Sequence, residues 1–253
     1  ARVALLLYIA FLLSEKQVYI KSFSKGFTPI IFWIGLTIGA IGISDLSTAS
    51  VVLVAVMTMC FIARVSVLHI SAVGAVGVLL AYLMLLGSPA RAARVESYVG
   101  VKLFPNTNSE EVFSNQAEGW QAMQARIAIA NGGLAGTGPG KSIQRNFLPA
   151  PYNDFIYAII AEEYGLIGAF TLLGLYLLLL FRGLLRIARH APDPLGLFLA
   201  VGVVVMLTLY GFVHAGVSSN LLPVTGLPLP FVSYGGTSML ANGALIGILL
   251  NIS

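Results

Sequence analysis

The stretch Val67–Leu86 reads VLHISAVGAVGVLLAYLMLL and contains no Asp, Glu, Lys or Arg. A helix needs roughly 20 mostly apolar residues to cross a hydrocarbon core of about 30 Å, and this run is that long. The whole chain shares its character. Of 253 residues, 58% are hydrophobic and only 9% charged, with a mean hydropathy of +0.91. A soluble domain carries about 25% charged residues, so a soluble globule is excluded. Disorder requires the opposite composition. No Lys/Arg cluster interleaved with aromatics points to nucleic acid. The single cysteine, Cys60, excludes an internal disulfide and reads as a small buried hydrophobe.

Outward from Val67–Leu86, six further apolar segments are legible: Val3–Leu13, Thr28–Ile43, Leu46–Ile62, Phe155–Phe181, Leu195–Val213 and Phe231–Leu250. The fold class is therefore all-α, a polytopic membrane helical bundle. Asp45 separates the second and third segments and is costly at mid-bilayer depth, which predicts two helices meeting in a tight turn. Lys16, Lys21, Lys25, Arg64, Arg182, Arg186 and Arg189 fall in alternate loops, and the positive-inside rule makes those loops cytoplasmic. Residues 87–153 then form one large external loop, in which Trp120, Met123, Ile127 and Ala130 have helical apolar spacing and predict an ordered helix. The chain opens on Ala1 and runs straight into a short apolar segment, the expectation for a fragment cut within a helix.

Three constellations carry possible chemistry. The glycine-rich Gly132–Ser142 lacks the first glycine of a P-loop, since Ala135 stands there, and no strand precedes it. Two readings stay open: a flexible turn, or a nest of backbone N–H groups that, with Lys141 and Arg145, suits a diphosphate. Next, two prolines hold Pro149–Pro151 extended before Asn153-Asp154 opens an apolar helix. Asp154 reads either as a helix N-cap or as a carboxylate at the membrane boundary able to take a proton from a hydroxyl. Glu162 and Glu163 follow at about 12–14 Å down a continuous helix, where carboxylates should face the bundle or a water-filled cavity. The third constellation, Leu221–Ser238, holds Pro223, Pro228 and Pro230, so an apolar but non-helical segment must be buried in protein or line a cavity. His69, His190 and His214 show no metal spacing, and His69 and His190 read as solvated boundary residues.

Taken together, Asn131–Gly138, Asn146–Pro149, Asp154–Gly165 and the runs Pro223–Gly226 and Ser233–Ser238 resemble the SEDS family (shape, elongation, division and sporulation) over essentially the whole chain. Gly138–Gln144 and Pro223–Gly226 look more like its division branch, FtsW, than its elongation branch, RodA. The family has ten transmembrane helices; the resemblance places this chain from near the fourth, as one domain over 1–253 lacking about three helices. His214 stands where the family usually has Asn, and Asn220 where it often has Gly.

The resemblance implies a peptidoglycan glycosyltransferase at the outer face of the cytoplasmic membrane, at the division septum, polymerising lipid II into glycan strands. Asp154 matches the family's essential aspartate and is the expected general base. Lys141, Gln144, Arg145, Glu162 and Glu163 are the expected substrate-binding residues, with Lys141 and Arg145 facing the lipid diphosphate. A divalent cation, Mg or Mn, is a candidate to share that role; no protein metal site is expected. Expected partners are a class B penicillin-binding protein transpeptidase and other divisome proteins, with no nucleic acid. The competing readings are a lipid II flippase, which intramembrane Glu162 and Glu163 would suit, and a non-catalytic scaffold for the transpeptidase.

Overall fold

The computed structural model describes residues 2–99, 101, 116–148 and 151–253. Ala1, Gly100, residues 102–115 of the long 87–153 segment, and Pro149 and Ala150 lie outside that set. The described residues are all-helical, without strands, and the apolar segments are its helices: α1 (Arg2–Glu15), α2 (Thr28–Ser44), α3 (Leu46–Ile62), α4 (Val67–Leu86), α7 (Ile156–Arg182), α8 (Pro194–Ser218) and α9 (Gly236–Ile252). Between α4 and α7 lie α5 (Pro89–Val99) and α6 (Gln116–Gly132). The helix expected within 87–153 is α6. The sequence reading left α5 unassigned, although Pro89 at its first position is pre-organised for a helix start.

By length and composition, α4, α8, and α7 with its extension to Ala188 can each cross a membrane; α2, α3 and α9 are shorter apolar helices. The protein is a multi-pass membrane helical bundle. The chain divides into two compact units. One comprises 1–81, 176–209 and 239–253; the other comprises 82–175 and 210–238.

In the first unit α1, α2 and α3 pack together, burying Leu6, Ile9, Leu13, Ile30 and Met59. Two helices do meet at Asp45, and the reason is local. Asp45 is extended (φ −144°, ψ 99°), and its carboxylate accepts from the N–H groups of Ser47 at 2.9 Å and Thr48 at 3.1 Å and from the Thr48 hydroxyl. It satisfies donors that the start of α3 would otherwise leave orphaned. His69 departs from the solvated reading: its ring stacks on Phe27 at 5.3 Å and meets Phe23 at 5.1 Å. Cys60 is buried, as expected.

In the second unit the expected continuous helix after Asp154 is broken. Gly165 has φ 67° and ψ −171°, and α7 kinks there. An unbroken helix would pair Leu166 N–H with the Glu162 carbonyl and Ile167 N–H with the Glu163 carbonyl. Instead the glycine-rich loop takes all four groups. Thr137 N–H donates to the Glu162 carbonyl at 2.9 Å and Gly138 N–H to that of Glu163 at 3.0 Å. Leu166 N–H donates to the Gly133 carbonyl at 2.9 Å and Ile167 N–H to that of Leu134 at 3.3 Å. The two backbones approach so closely that a Cβ at Gly165 would sit 2.3 Å from the Leu134 carbonyl oxygen, and one at Gly136 2.2 Å from that of Glu163.

Two changes test this architecture by unfolding in detergent. Asp45→Ala should cost about 0.5–2 kcal/mol, with Asp45→Asn or Asp45→Ser recovering most of it. Gly165→Ala combines a left-handed backbone with a backbone clash and should cost about 2–4 kcal/mol. A Gly165→Ala protein as stable as its parent would contradict the loop docking.

Candidate functional site

The docked loop delivers residues 141–148 to the start of α7, and Glu162 fixes how they turn. Glu162 is buried, and its carboxylate accepts from the Ser142 hydroxyl, from Ile143 N–H at 3.2 Å and from Gln144 N–H at 3.3 Å. Glu163 accepts from Ser142 N–H at 3.4 Å. Ser142 Oγ in turn accepts from Arg145 N–H at 3.2 Å, closing a single helical turn over Gln144–Asn146. Gln144 is buried in that turn. Lys141 is exposed and lies back along Gly138, and Arg145 is half-buried.

This arrangement decides between the two readings of the glycine-rich loop. The N–H groups of Gly136, Thr137 and Gly138 all donate to carbonyls, those of Gly132, Glu162 and Glu163 respectively. They are therefore not an anion-binding nest, and the stretch is a turn that docks on a broken helix. The positive charge it presents is carried by the Lys141 and Arg145 side chains. Of the expected substrate-binding residues, Gln144, Glu162 and Glu163 are brought together with Ser142 in one hydrogen-bonded knot, with Lys141 and Arg145 on its ends.

Asp154 sits two residues before α7, in the turn 151–155. It is not the helix N-cap: α7 begins at Ile156, and among the described residues its carboxylate has no hydrogen bond or ion pair. The side chain is half-buried. Immediately beside it, Phe155 joins a tight apolar cluster with Ala125, Ala128, Leu148, Ala158, Ile159 and Val217. That surrounding removes water from the carboxyl and raises its pKa above the ordinary 3.8.

The backbone carrying Asp154 is held from the other side by the proline-rich segment. Ser233 Oγ donates to the Asn153 carbonyl at 2.7 Å while accepting from Leu229 N–H at 2.8 Å. Tyr234 N–H donates to the Tyr152 carbonyl at 2.9 Å. These contacts explain why α9 starts at Gly236, later than the apolar run beginning at Phe231: Phe231–Gly235 belongs to the clamp. His214 Nδ1 donates to the Leu227 carbonyl at 2.7 Å, so this departure from the family pattern holds the same segment. Asn220 ends α8 in the left-handed region at φ 58°, with Leu221 N–H on the Gly216 carbonyl at 2.7 Å and Asn220 N–H on that of Val217 at 3.0 Å. Asn is the common substitute for Gly in that helix-ending geometry, so the second departure is conservative.

Ser142, Ser233 and Tyr98, whose hydroxyl donates to the Leu221 carbonyl at 2.6 Å, are structural residues that the sequence reading did not single out. Ser233 lay inside a quoted motif, but nothing in its spacing names Asn153 as its partner. Among the described residues no three His, Cys, Asp or Glu side chains gather as a metal site.

Fold and site together define a polytopic membrane protein with a half-buried carboxylate at the mouth of a spanning helix and two basic side chains on a loop docked to that helix. The chain belongs to the FtsW/RodA/SpoVE family of cell cycle proteins, whose sequence profile matches residues 1–253, the SEDS family of the sequence reading. It is 38% identical over 257 residues to stage V sporulation protein E of Bacillus subtilis, covering 100% of this chain and 66% of that protein. To the probable peptidoglycan glycosyltransferase FtsW of Geobacter metallireducens it is 35% identical, covering 100% of this chain and 65% of that one. A chain from the solved structure of a peptidoglycan synthase complex, described as coordinating polymerization and crosslinking, superposes with a TM-score of 0.73 at 26% identity, over 99% of this chain and 67% of that one. The chain thus spans about two thirds of the length of the curated relatives it matches.

The role of Glu162 can be checked directly. Glu162→Ala leaves three donors without their acceptor and should cost about 2–4 kcal/mol, with faster amide exchange at Ile143 and Gln144. Glu162→Gln keeps an acceptor oxygen and should lose less.

Proposed function

We propose that the protein is a peptidoglycan glycosyltransferase that polymerises lipid II at the outer face of the cytoplasmic membrane. The observation that carries this reading is Asp154: a carboxylate between a backbone clamp at Tyr152–Asn153 and the packed Phe155, partly desolvated, and without a hydrogen bond or ion pair among the described residues. A base that is already neutralised by a cation or spent as a cap would be poor at taking a proton. Asp154 is neither. Its raised pKa brings its basicity closer to that needed to assist a hydroxyl, which is how burial tunes catalytic carboxylates.

In the reaction, Asp154 takes the proton of the acceptor sugar's 4-hydroxyl. The oxygen's electron pair attacks the anomeric carbon of the donor, and the bond from that carbon to the lipid diphosphate breaks with its electrons on the diphosphate. The gain in negative charge falls on the leaving group. Lys141 and Arg145 supply fixed positive charge for it, most effective in a site shielded from water. Glu162 acts through them, by holding the turn from which both project.

The name of the Geobacter relative supports the reaction, and the solved synthase complex, which coordinates polymerization and crosslinking, supports a crosslinking partner; that this is a class B penicillin-binding protein transpeptidase follows the family resemblance. A role at the septum, with other division proteins, follows the resemblance to the division branch. The external placement of 87–153 rests on the distribution of Lys and Arg. The flippase reading rests on Glu162, Glu163 and the broken segment near Pro223 as a polar pathway. Both carboxylates are engaged by Ser142–Gln144, which weighs against it.

The deciding assay is glycan polymerisation from purified lipid II by the full-length protein. Asp154→Asn should abolish polymer while leaving the unfolding midpoint unchanged, and Lys141→Ala with Arg145→Ala should lower the rate at least about tenfold. Because the base must be ionised, the rate should rise with pH along an acid limb whose midpoint lies above 3.8, the direction in which burial moves Asp154. Lipid translocation that fails in Asp154→Asn while polymerisation continues would point to the flippase.

A further inference from the structure

Several helical hydroxyls in this protein are satisfied by their own helix. Ser50, Thr58 and Thr171 each donate to the carbonyl four residues earlier, at 2.7–2.8 Å, and Ser219 donates to that of Ala215 at 2.8 Å. Ser218 does not. It is 0% exposed, and its hydroxyl has no hydrogen-bond partner among the described residues. Two more buried polar atoms share that condition, His214 Nε2 and Thr225 Oγ1.

The three lie in one strip between α8 and the proline-rich segment, within a single compact unit. His214 and Ser218 are one turn apart and share a helix face. Residues 224–227 run beside that face. Val224 packs against the apolar cluster that contains Val217, and the Leu227 carbonyl accepts from His214 Nδ1 at 2.7 Å. Thr225 sits between these two attachments, next to the left-handed Gly226 (φ 66°) at which the chain turns.

The chemistry of the strip specifies its ligand. The Leu227 oxygen can only accept, so His214 Nδ1 carries the proton and Nε2 of the neutral ring offers a lone pair. What that atom lacks is a donor. The Ser218 and Thr225 hydroxyls can each donate and accept. A metal ion does not fit, because it donates no hydrogen bond and none of the three groups carries a negative charge to balance it. Water supplies two donors and two acceptors, and internal waters make about three bonds to buried groups of this kind. Ordering one water costs less than leaving three buried polar atoms unpaired.

We infer that one internal water bridges His214 Nε2, Ser218 Oγ and Thr225 Oγ1. It donates one hydrogen to the imidazole nitrogen and the other to one hydroxyl, and accepts from the second hydroxyl. It thereby fastens to α8 the segment that supplies Ser233 to the Asn153 carbonyl, as a second pin beside the bond from His214 to Leu227. This water takes part in no transfer reaction, so failure of the glycosyltransferase reading would leave it standing.

The test uses the full-length protein in lipid bilayers with isotope-labelled histidine, the His214 signals being those that vanish in His214→Gln. Magnetisation from water protons should reach the His214 ring although that ring is only 1% exposed, and Nε2 should be unprotonated with the chemical shift of a hydrogen-bond acceptor. Ser218→Ala and Thr225→Val should each reduce that transfer and lower the folded-to-unfolded ratio about fivefold, the effect of one lost hydrogen bond. Their double variant should lose less than the product of the two, because they share one water. A dry strip predicts the opposite sign, since removing an unpaired buried hydroxyl leaves stability unchanged or raises it. No water transfer at His214, a protonated Nε2, or Ser218→Ala and Thr225→Val proteins as stable as their parent would each overturn the inference.

Discussion

Everything around the candidate site depends on one exchange of backbone hydrogen bonds. In a hydrocarbon environment an unpaired N–H or carbonyl costs several kcal/mol, so a spanning helix can open only where something else takes its freed groups. Gly165 opens α7, and four bonds to Gly133, Leu134, Thr137 and Gly138 replace the two that the helix gives up. The break therefore works as a socket, and the loop that fills it arrives with its neighbours in a fixed place. Among those neighbours are Lys141 and Arg145, the two cations proposed to face the diphosphate. The Glu162 carboxylate then uses the same stretch of helix to hold the turn between them. Backbone and side chain of one residue thus serve the same end.

A second clamp works on the chain that leads into α7. Ser233 and Tyr234 grip the carbonyls of Asn153 and Tyr152, while Phe155 anchors the next residue in the apolar cluster. Asp154 stands between these fixed points, and among the described residues its carboxylate has no hydrogen bond or ion pair. That combination meets the competing demands on the base proposed under the glycosyltransferase reading. A capping role would have given the carboxylate stable partners and lowered its basicity. Burial beside the cluster moves its pKa the other way. The proline-rich segment that supplies Ser233 is itself held by His214 through the Leu227 carbonyl, and the left-handed Asn220 closes the end of α8 just before it.

Much of the fold was legible because membrane helices announce themselves by composition. Val67–Leu86 and Leu46–Ile62 are helices to the residue, and Asp45 marked its turn because a carboxylate between two apolar runs has few other places to go. Other features depend on partners distant in the chain. A glycine inside an apolar run is ordinary, so nothing at Gly165 signalled a break; the signal was the glycine-rich loop, whose target is not written in its own sequence. The same holds for Glu162, which looked like a polar intrusion into the membrane until its donors at 142–144 were in place. The stripe on α6 announces a helix by its period, but apolar spacing reports a face and not what covers it. The nest failed for a related reason: glycines permit a row of N–H groups, but only the packed structure shows that carbonyls already occupy them.

The most direct measurement is amide hydrogen exchange on the full-length protein in a membrane mimetic, read at Thr137, Gly138, Leu166 and Ile167. If the loop closes the helix break, these four amides exchange slowly and with similar protection, although two lie in a glycine-rich loop and two beside a kink. Fast exchange at Thr137 and Gly138 together with protection of Leu166 and Ile167 would mean an unbroken helix with a free loop, and would contradict the account.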